Sequence, residues 1–141
     1  MMEWTTACPD WEERIVAGRS IMPCGPLFPE EAQAALDVFR ALRVVDVPGA
    51  PPVGEIARPW ILDFAATFFG AYDPDSGQRL IKSYYLKVPK KNWKSGIAAF
   101  IMGTLLIRNW RESGEFGIIA PTTEVANNAF GPLKHAIRKS E

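Results

Sequence analysis

The chain has 141 residues, of which 48% are hydrophobic and 23% charged, with no net charge; that suffices for one domain with its own core and excludes a disordered chain. No apolar run reaches the ~18 residues that span a bilayer, and Met1-Met2-Glu3-Trp4 does not open a secretory signal, so no membrane association is expected. A single histidine, His135, and two widely spaced cysteines, Cys8 and Cys24, argue against a zinc site or a histidine-based triad and point to a reducing cytoplasm.

Charge is unevenly distributed. Residues 1–63 hold ten acids and five bases, whereas residues 64–141 hold six acids and eleven bases. Lys82, Lys87, Lys90, Lys91 and Lys94 fall within thirteen residues. Such a cluster suits the phosphates of a nucleotide or of DNA, and it equally suits a solvated lysine face.

In chain order, Asp10 and Glu13 stand in capping-box spacing for a short helix. Pro29 opens a second helix, with Glu30 and Glu31 at its positive end and Ala32, Leu36, Phe39 and Leu42 along one apolar face. The Pro/Gly run Val47–Gly54 reads as a linker. Pro59 opens a third helix with the stripe Ile61, Phe64, Ala65, Phe68 and a stop at Gly70. Asp73-Pro74-Asp75-Ser76-Gly77 has turn chemistry throughout.

Leu80–Val88, rich in aromatic and branched residues, is expected to form a strand that ends at a basic loop. Ser95 to about Trp110 follows as a helix buried over a wide arc through Ile97, Ala98, Ile101, Leu105 and Leu106. Phe116–Ile119 has the composition of a buried parallel strand. Thr122 caps a final helix, which Pro132 is expected to kink or interrupt. The order strand–loop–helix–strand–helix after an initial helical segment predicts an α/β fold with a parallel sheet. The expected division is a helical segment with linker over residues 1–57 and an incomplete α/β region over 58–141.

A strand, a basic loop and a buried helix form the setting of a phosphate-binding loop, where backbone N–H groups and the positive helix end surround an anion. Laid on Val88-Pro89-Lys90-Lys91-Asn92-Trp93-Lys94-Ser95, the pattern G-x-x-x-x-G-K-[ST] is met at Lys94 and Ser95 and missed at both glycine positions. By pattern alone, a basic turn that merely begins a helix fits the same residues.

Three segments in order nevertheless resemble the ATPase front end of tailed-phage terminase large subunits. The loop Val88–Ser95 is similar to that family's variant P-loop, Arg58-Pro59-Trp60 with its apolar helix to Gly70 is similar to its Pro-Trp-Gln segment, and Ile118–Ala126 is similar to its apolar strand followed by Ala-Pro-Thr. The resemblance implies ATP and Mg²⁺ as cofactors. It assigns Lys91, Asn92, Trp93, Lys94, Ser95 and Gly96 to the phosphate loop, Ser95 to the metal, Lys90 to charge stabilisation and Trp60 to the neighbourhood of the adenine. It implies double-stranded DNA, a small terminase subunit and the portal as partners, and the host cytoplasm as the place of action. Trp93 stands where the family has glycine, Gly96 where it has a second hydroxyl residue, and Ile61 where it has glutamine. No apolar run followed by Asp-Glu occurs in these 141 residues, so little ATP turnover by this chain alone is expected. The rival expectation is a non-enzymatic terminase-like module that binds another protein or self-associates to cover an open sheet edge.

Overall fold

A computed structural model describes residues 8–22 and 24–139. Trp4 and Met1–Glu3 lie outside the described residues. Two compact units alternate along the sequence, one from Met1–Leu36 with Arg58–Tyr84 and the other from Asp37–Ala57 with Tyr85–Glu141.

The first unit begins with the short helix α1 (Trp11–Val16), none of whose residues is buried. Asp10 does not cap it by a side-chain hydrogen bond; its carboxylate instead accepts from Arg14 Nε at 2.8 Å, one turn on. Helix α2 (Pro29–Ala41) starts at the proline, as its chemistry predicts, and runs from the first unit into the second. The apolar stripe of α2 is realised: Ala32, Leu36, Phe39 and Leu42, just beyond its end, are all buried. The single turn α3 (Val53–Ile56) occupies the end of the Pro/Gly linker and belongs to the second unit.

Helix α4 (Pro59–Phe69) has proline in its first turn and ends before Gly70, whose carbonyl accepts the Phe28 N–H at 2.9 Å. Ile61, Ala65 and Phe69 form its buried side, while Phe64 and Phe68 are half-buried and meet the Tyr84 ring, at centroid separations of 6.0 and 4.7 Å. The expected turn joins two short antiparallel strands, β1 (Tyr72–Asp73) and β2 (Gln78–Arg79), paired Tyr72 to Arg79 and Asp73 to Gln78. The Asp73 carboxylate accepts from the Asp75 N–H at 3.0 Å and the Ser76 hydroxyl at 2.6 Å, and Gly77 supplies the positive φ of 67°.

In the second unit, helix α5 (Lys94–Ile107) lies against helix α6 (Thr123–Lys139). Gly103 makes the close approach possible: a Cβ there would stand 2.5 Å from Leu133 Cδ1. Ile97, Ala99, Phe100, Ile101 and Thr104 are buried, and burying a side chain such as Phe100 contributes ~1.5–3 kcal/mol. Two residues expected on the buried arc, Ala98 and Leu106, are exposed. Thr122 caps α6, its hydroxyl accepting the Val125 N–H at 3.2 Å. The helix assignment continues through Pro132 without the expected interruption.

The structure is thus helical with one small antiparallel sheet among the described residues. Leu80–Val88 and Phe116–Ile119, expected as strands, carry no ladder. Their propensity is real, but a strand exists only through a partner's backbone groups. Beyond Leu80, no backbone–backbone hydrogen bond ties residues 81–88 or 115–119 to any other described segment. No helix of the described residues is long and apolar enough to cross a membrane.

Candidate phosphate-binding loop

Residues 88–96 all lie in the second unit and lead directly into α5. Two of the three non-glycine residues with positive φ among the described residues are here, Lys91 (65°) and Trp93 (55°). Trp93 is also the N-cap of α5, at φ 55° and ψ 31° in the left-handed region. A residue with a Cβ is strained in that conformation by on the order of 1–2 kcal/mol, which is the physical reason a glycine suits this position. The junction therefore places a tryptophan in a backbone conformation that favours glycine.

Side chains hold the loop in a closed curl. The Lys94 ammonium reaches back across it and donates to the Val88 carbonyl at 2.9 Å. The Asn92 amide donates to the Pro89 carbonyl at 3.3 Å and approaches that of Lys90 at 3.5 Å. Helix α5 proper starts with the Ile97 N–H bonded to the Trp93 carbonyl at 2.9 Å. The N–H groups of Lys94, Ser95 and Gly96 are thus first-turn donors without an intrahelical acceptor, at the positive end of the helix. Ser95, Lys90 and Lys91 are exposed.

The indole of Trp93 turns down along the helix, with its ring centroid 5.2 Å from that of Phe100. It lies directly on Gly96, where an added Cβ would overlap Nε1 and Cε2 and come within 2.6 Å of Cδ1. One side of the first turn is consequently covered by tryptophan. The chemistry available is the binding of an anion by backbone donors and the Lys94 ammonium, with the Ser95 hydroxyl as the one local group suited to a magnesium ion. Among the described residues no cluster of three or more His, Cys, Asp or Glu side chains could hold a metal by itself.

The remaining sequence-derived candidates lie elsewhere in the chain. Trp60 is in the first unit, in the first turn of α4, and is half-buried. Thr122 is occupied as the cap of α6. A polar cluster at the end of α4 has no counterpart in the sequence reading: the Arg79 guanidinium donates to the Phe68 carbonyl and stacks 4.2 Å over the Phe68 ring, and the Tyr84 hydroxyl donates to the Thr67 carbonyl at 3.3 Å. These donors cap the carbonyl end of α4, where a cation is favoured. Burial raises the Tyr84 pKa and lowers that of Arg79. Nothing in residue spacing announces this arrangement, because it depends on the hairpin bringing Arg79 back to the helix end.

Comparison of the chain with protein-family models, curated proteins and solved structures finds no match.

Proposed function

We propose that the chain is a terminase large subunit-like portion of a phage DNA-packaging motor ATPase whose P-loop is altered by tryptophan. The observation that carries this reading is the loop itself: a left-handed residue immediately before Lys94, and a Lys94 ammonium closed onto the first loop carbonyl, Val88. The sequence resemblance over the loop, the Arg58-Pro59-Trp60 segment and Ile118–Ala126 supports it. In this reading Lys91–Gly96 cradle the triphosphate, Lys94 neutralises phosphate charge, Ser95 supplies a hydroxyl to Mg²⁺, and Lys90 adds charge stabilisation. ATP bound there would supply the energy for moving double-stranded DNA, with the small terminase subunit and the portal as further partners. Leu80–Val88 and Phe116–Ile119 would pair in parallel within a larger P-loop sheet. These 141 residues would turn over little ATP alone, since they hold no apolar run followed by Asp-Glu to position water and metal.

A second reading is favoured by a separate observation. Among the described residues the backbone of residues 81–88 and 115–119 makes no backbone–backbone hydrogen bond, and within those stretches Tyr85 is 89% and Ile119 99% exposed. A terminase-like module that works by self-association, or by binding another protein, would satisfy those groups without any nucleotide.

Titration with a fluorescent ATP analogue in the presence of magnesium separates the two. Saturable, magnesium-dependent binding that disappears in Lys94→Ala supports the nucleotide reading. Absence of binding at millimolar nucleotide, together with a stable dimer in sedimentation equilibrium, supports the second.

A further inference from the structure

Charge divides between the two compact units. Residues 1–36 with 58–84 hold nine acids and five bases, whereas residues 37–57 with 85–141 hold seven acids and eleven bases. A chain with one acidic and one basic unit attracts further copies of itself, most strongly where charges stand in water without a partner.

In the first unit that place is α1, none of whose residues is buried. Trp11 and Ile15, four residues apart, share one face and are 50% and 56% exposed. Glu12 and Val16 form the adjoining row, and both are exposed. Asp10 is paired with Arg14, whereas Glu12 has no ion pair among the described residues.

In the second unit the matching surface lies on α6. Phe130, Lys134 and Arg138 recur every fourth residue, so they run along one face, and all three are exposed. Ala129, Leu133 and Ala136 are the buried residues of the same helix. Neither Lys134 nor Arg138 has an ion pair among the described residues. The two surfaces share one design with opposite sign, an aromatic ring left in water beside uncompensated charge. Apolar area leaving water supplies attraction, and a carboxylate facing an ammonium group fixes the register. A polyanion would use the cations of α6 and leave α1 uncovered; a second copy of the chain covers both.

We propose that copies of this chain associate head to tail, with Trp11, Glu12 and Ile15 of one copy on Phe130, Lys134 and Arg138 of the next. The contact deepens the self-association reading given above, on which it rests, but does not use the backbone of residues 81–88 or 115–119. Because it joins two different surfaces, it adds copies in series rather than closing as a two-fold dimer.

Sedimentation velocity of the whole chain over a concentration series tests the contact. At low salt the mean mass is expected to rise past that of a dimer, and at about 0.5 M salt, where charges are screened beyond a few ångströms, to fall toward the monomer. Trp11→Ala and Phe130→Ala should each weaken association about fivefold or more, as for an aromatic anchor of an interface. Glu12→Lys alone and Lys134→Glu alone should each abolish it by setting like charges face to face. An equal mixture of those two variants should associate again, since each brings the surface that the other needs. All these positions are exposed, and circular dichroism checks that each variant is folded. A dimer of fixed mass that survives salt and ignores these substitutions would keep self-association and overturn this contact. A mixture of the two variants that stays monomeric would overturn it too. A parent chain that is monomeric at about millimolar concentration and low salt would overturn both.

Discussion

The Trp93 indole occupies the space that any side chain on Gly96 would need, so the two departures from the P-loop pattern are one structural event. Tryptophan at the left-handed N-cap folds down the helix onto Phe100, and only glycine three residues later leaves room for it. A hydroxyl residue at position 96 is incompatible with this placement of the indole.

That coupling predicts a non-additive pair. Gly96→Ala alone gains up to ~1 kcal/mol of helix propensity but forces the indole off Phe100, and overpacking costs ~1–3 kcal/mol; a net loss of stability is expected. In a Trp93→Gly background the collision is gone, and the same substitution should stabilise. Trp93→Gly by itself relieves ~1–2 kcal/mol of backbone strain and loses an aromatic contact of ~0.5–1.5 kcal/mol, so its own effect should be small. Urea denaturation of the four proteins gives the coupling energy; a value near zero would show that the indole is not seated on Gly96.

How far the sequence discloses this molecule depends on the range of the interactions involved. Pro29, Pro59 and Thr122 place helix starts correctly because proline and a capping hydroxyl act on the backbone within one turn. The Asp73–Gly77 turn is legible for the same reason, although the two-residue strands that it joins, Tyr72–Asp73 and Gln78–Arg79, lie outside the expected strand Leu80–Val88. Leu80–Val88 has strand-forming residues, but beyond Leu80 it has no backbone–backbone hydrogen bond among the described residues, and pairing is a property of two segments rather than one. Tyr84, read as part of that strand, instead caps α4 and packs on Phe64 and Phe68. At the candidate site, Lys94 and Ser95 are recognisable by type. The ties from Lys94 to Val88 and from Asn92 to Pro89 become visible only once the loop is folded.

Gly103 and Leu133 define the contact between α5 and α6. With Leu133 Cδ1 2.5 Å from the position of a Cβ and the leucine itself buried, Gly103→Ala should push the helices apart. The expected loss is ~1–3 kcal/mol, partly offset by helix propensity of up to ~1 kcal/mol. Leu133→Ala alone should cost ~2–5 kcal/mol, and adding Gly103→Ala to it should recover part of that by refilling the space. If Gly103→Ala is as damaging in the Leu133→Ala background as in the parent, another contact sets the helix separation.

Tyr84 gives the fold a dependence on alkaline pH. Burial raises its folded pKa above the ordinary 10.0. The unfolded chain therefore ionises first, and the stability held by the neutral phenol is complete below about pH 10 and falls as pH rises toward the folded value. Tyr84→Phe removes a hydrogen bond to the Thr67 carbonyl, at a cost of ~0.5–1.5 kcal/mol, but should flatten that alkaline slope. Thermal melts from pH 8 to 11 compare the two proteins; an unchanged slope in the phenylalanine variant would assign the alkaline response to other groups.

The nucleotide reading makes its strongest demand on the double variant Trp93→Gly/Gly96→Thr. Glycine accepts the left-handed backbone at the N-cap without strain, uncovers the first turn of α5, and leaves room for a second hydroxyl beside Ser95. The Lys94 ammonium, exposed and held by a single carbonyl, is free to exchange Val88 for a phosphate oxygen because that bond is worth little in water. If the loop is altered only at these two positions, ATP affinity should rise by about tenfold or more over the parent. Melting temperature should then climb with Mg²⁺-ATP concentration, as expected for a ligand that binds only the folded chain. Adding Lys94→Ala to the double variant should abolish the climb while changing stability without nucleotide by about 0.5 kcal/mol or less, since the position is exposed. A double variant that is folded yet shows no nucleotide-dependent melting shift would place the loss of binding outside residues 88–96.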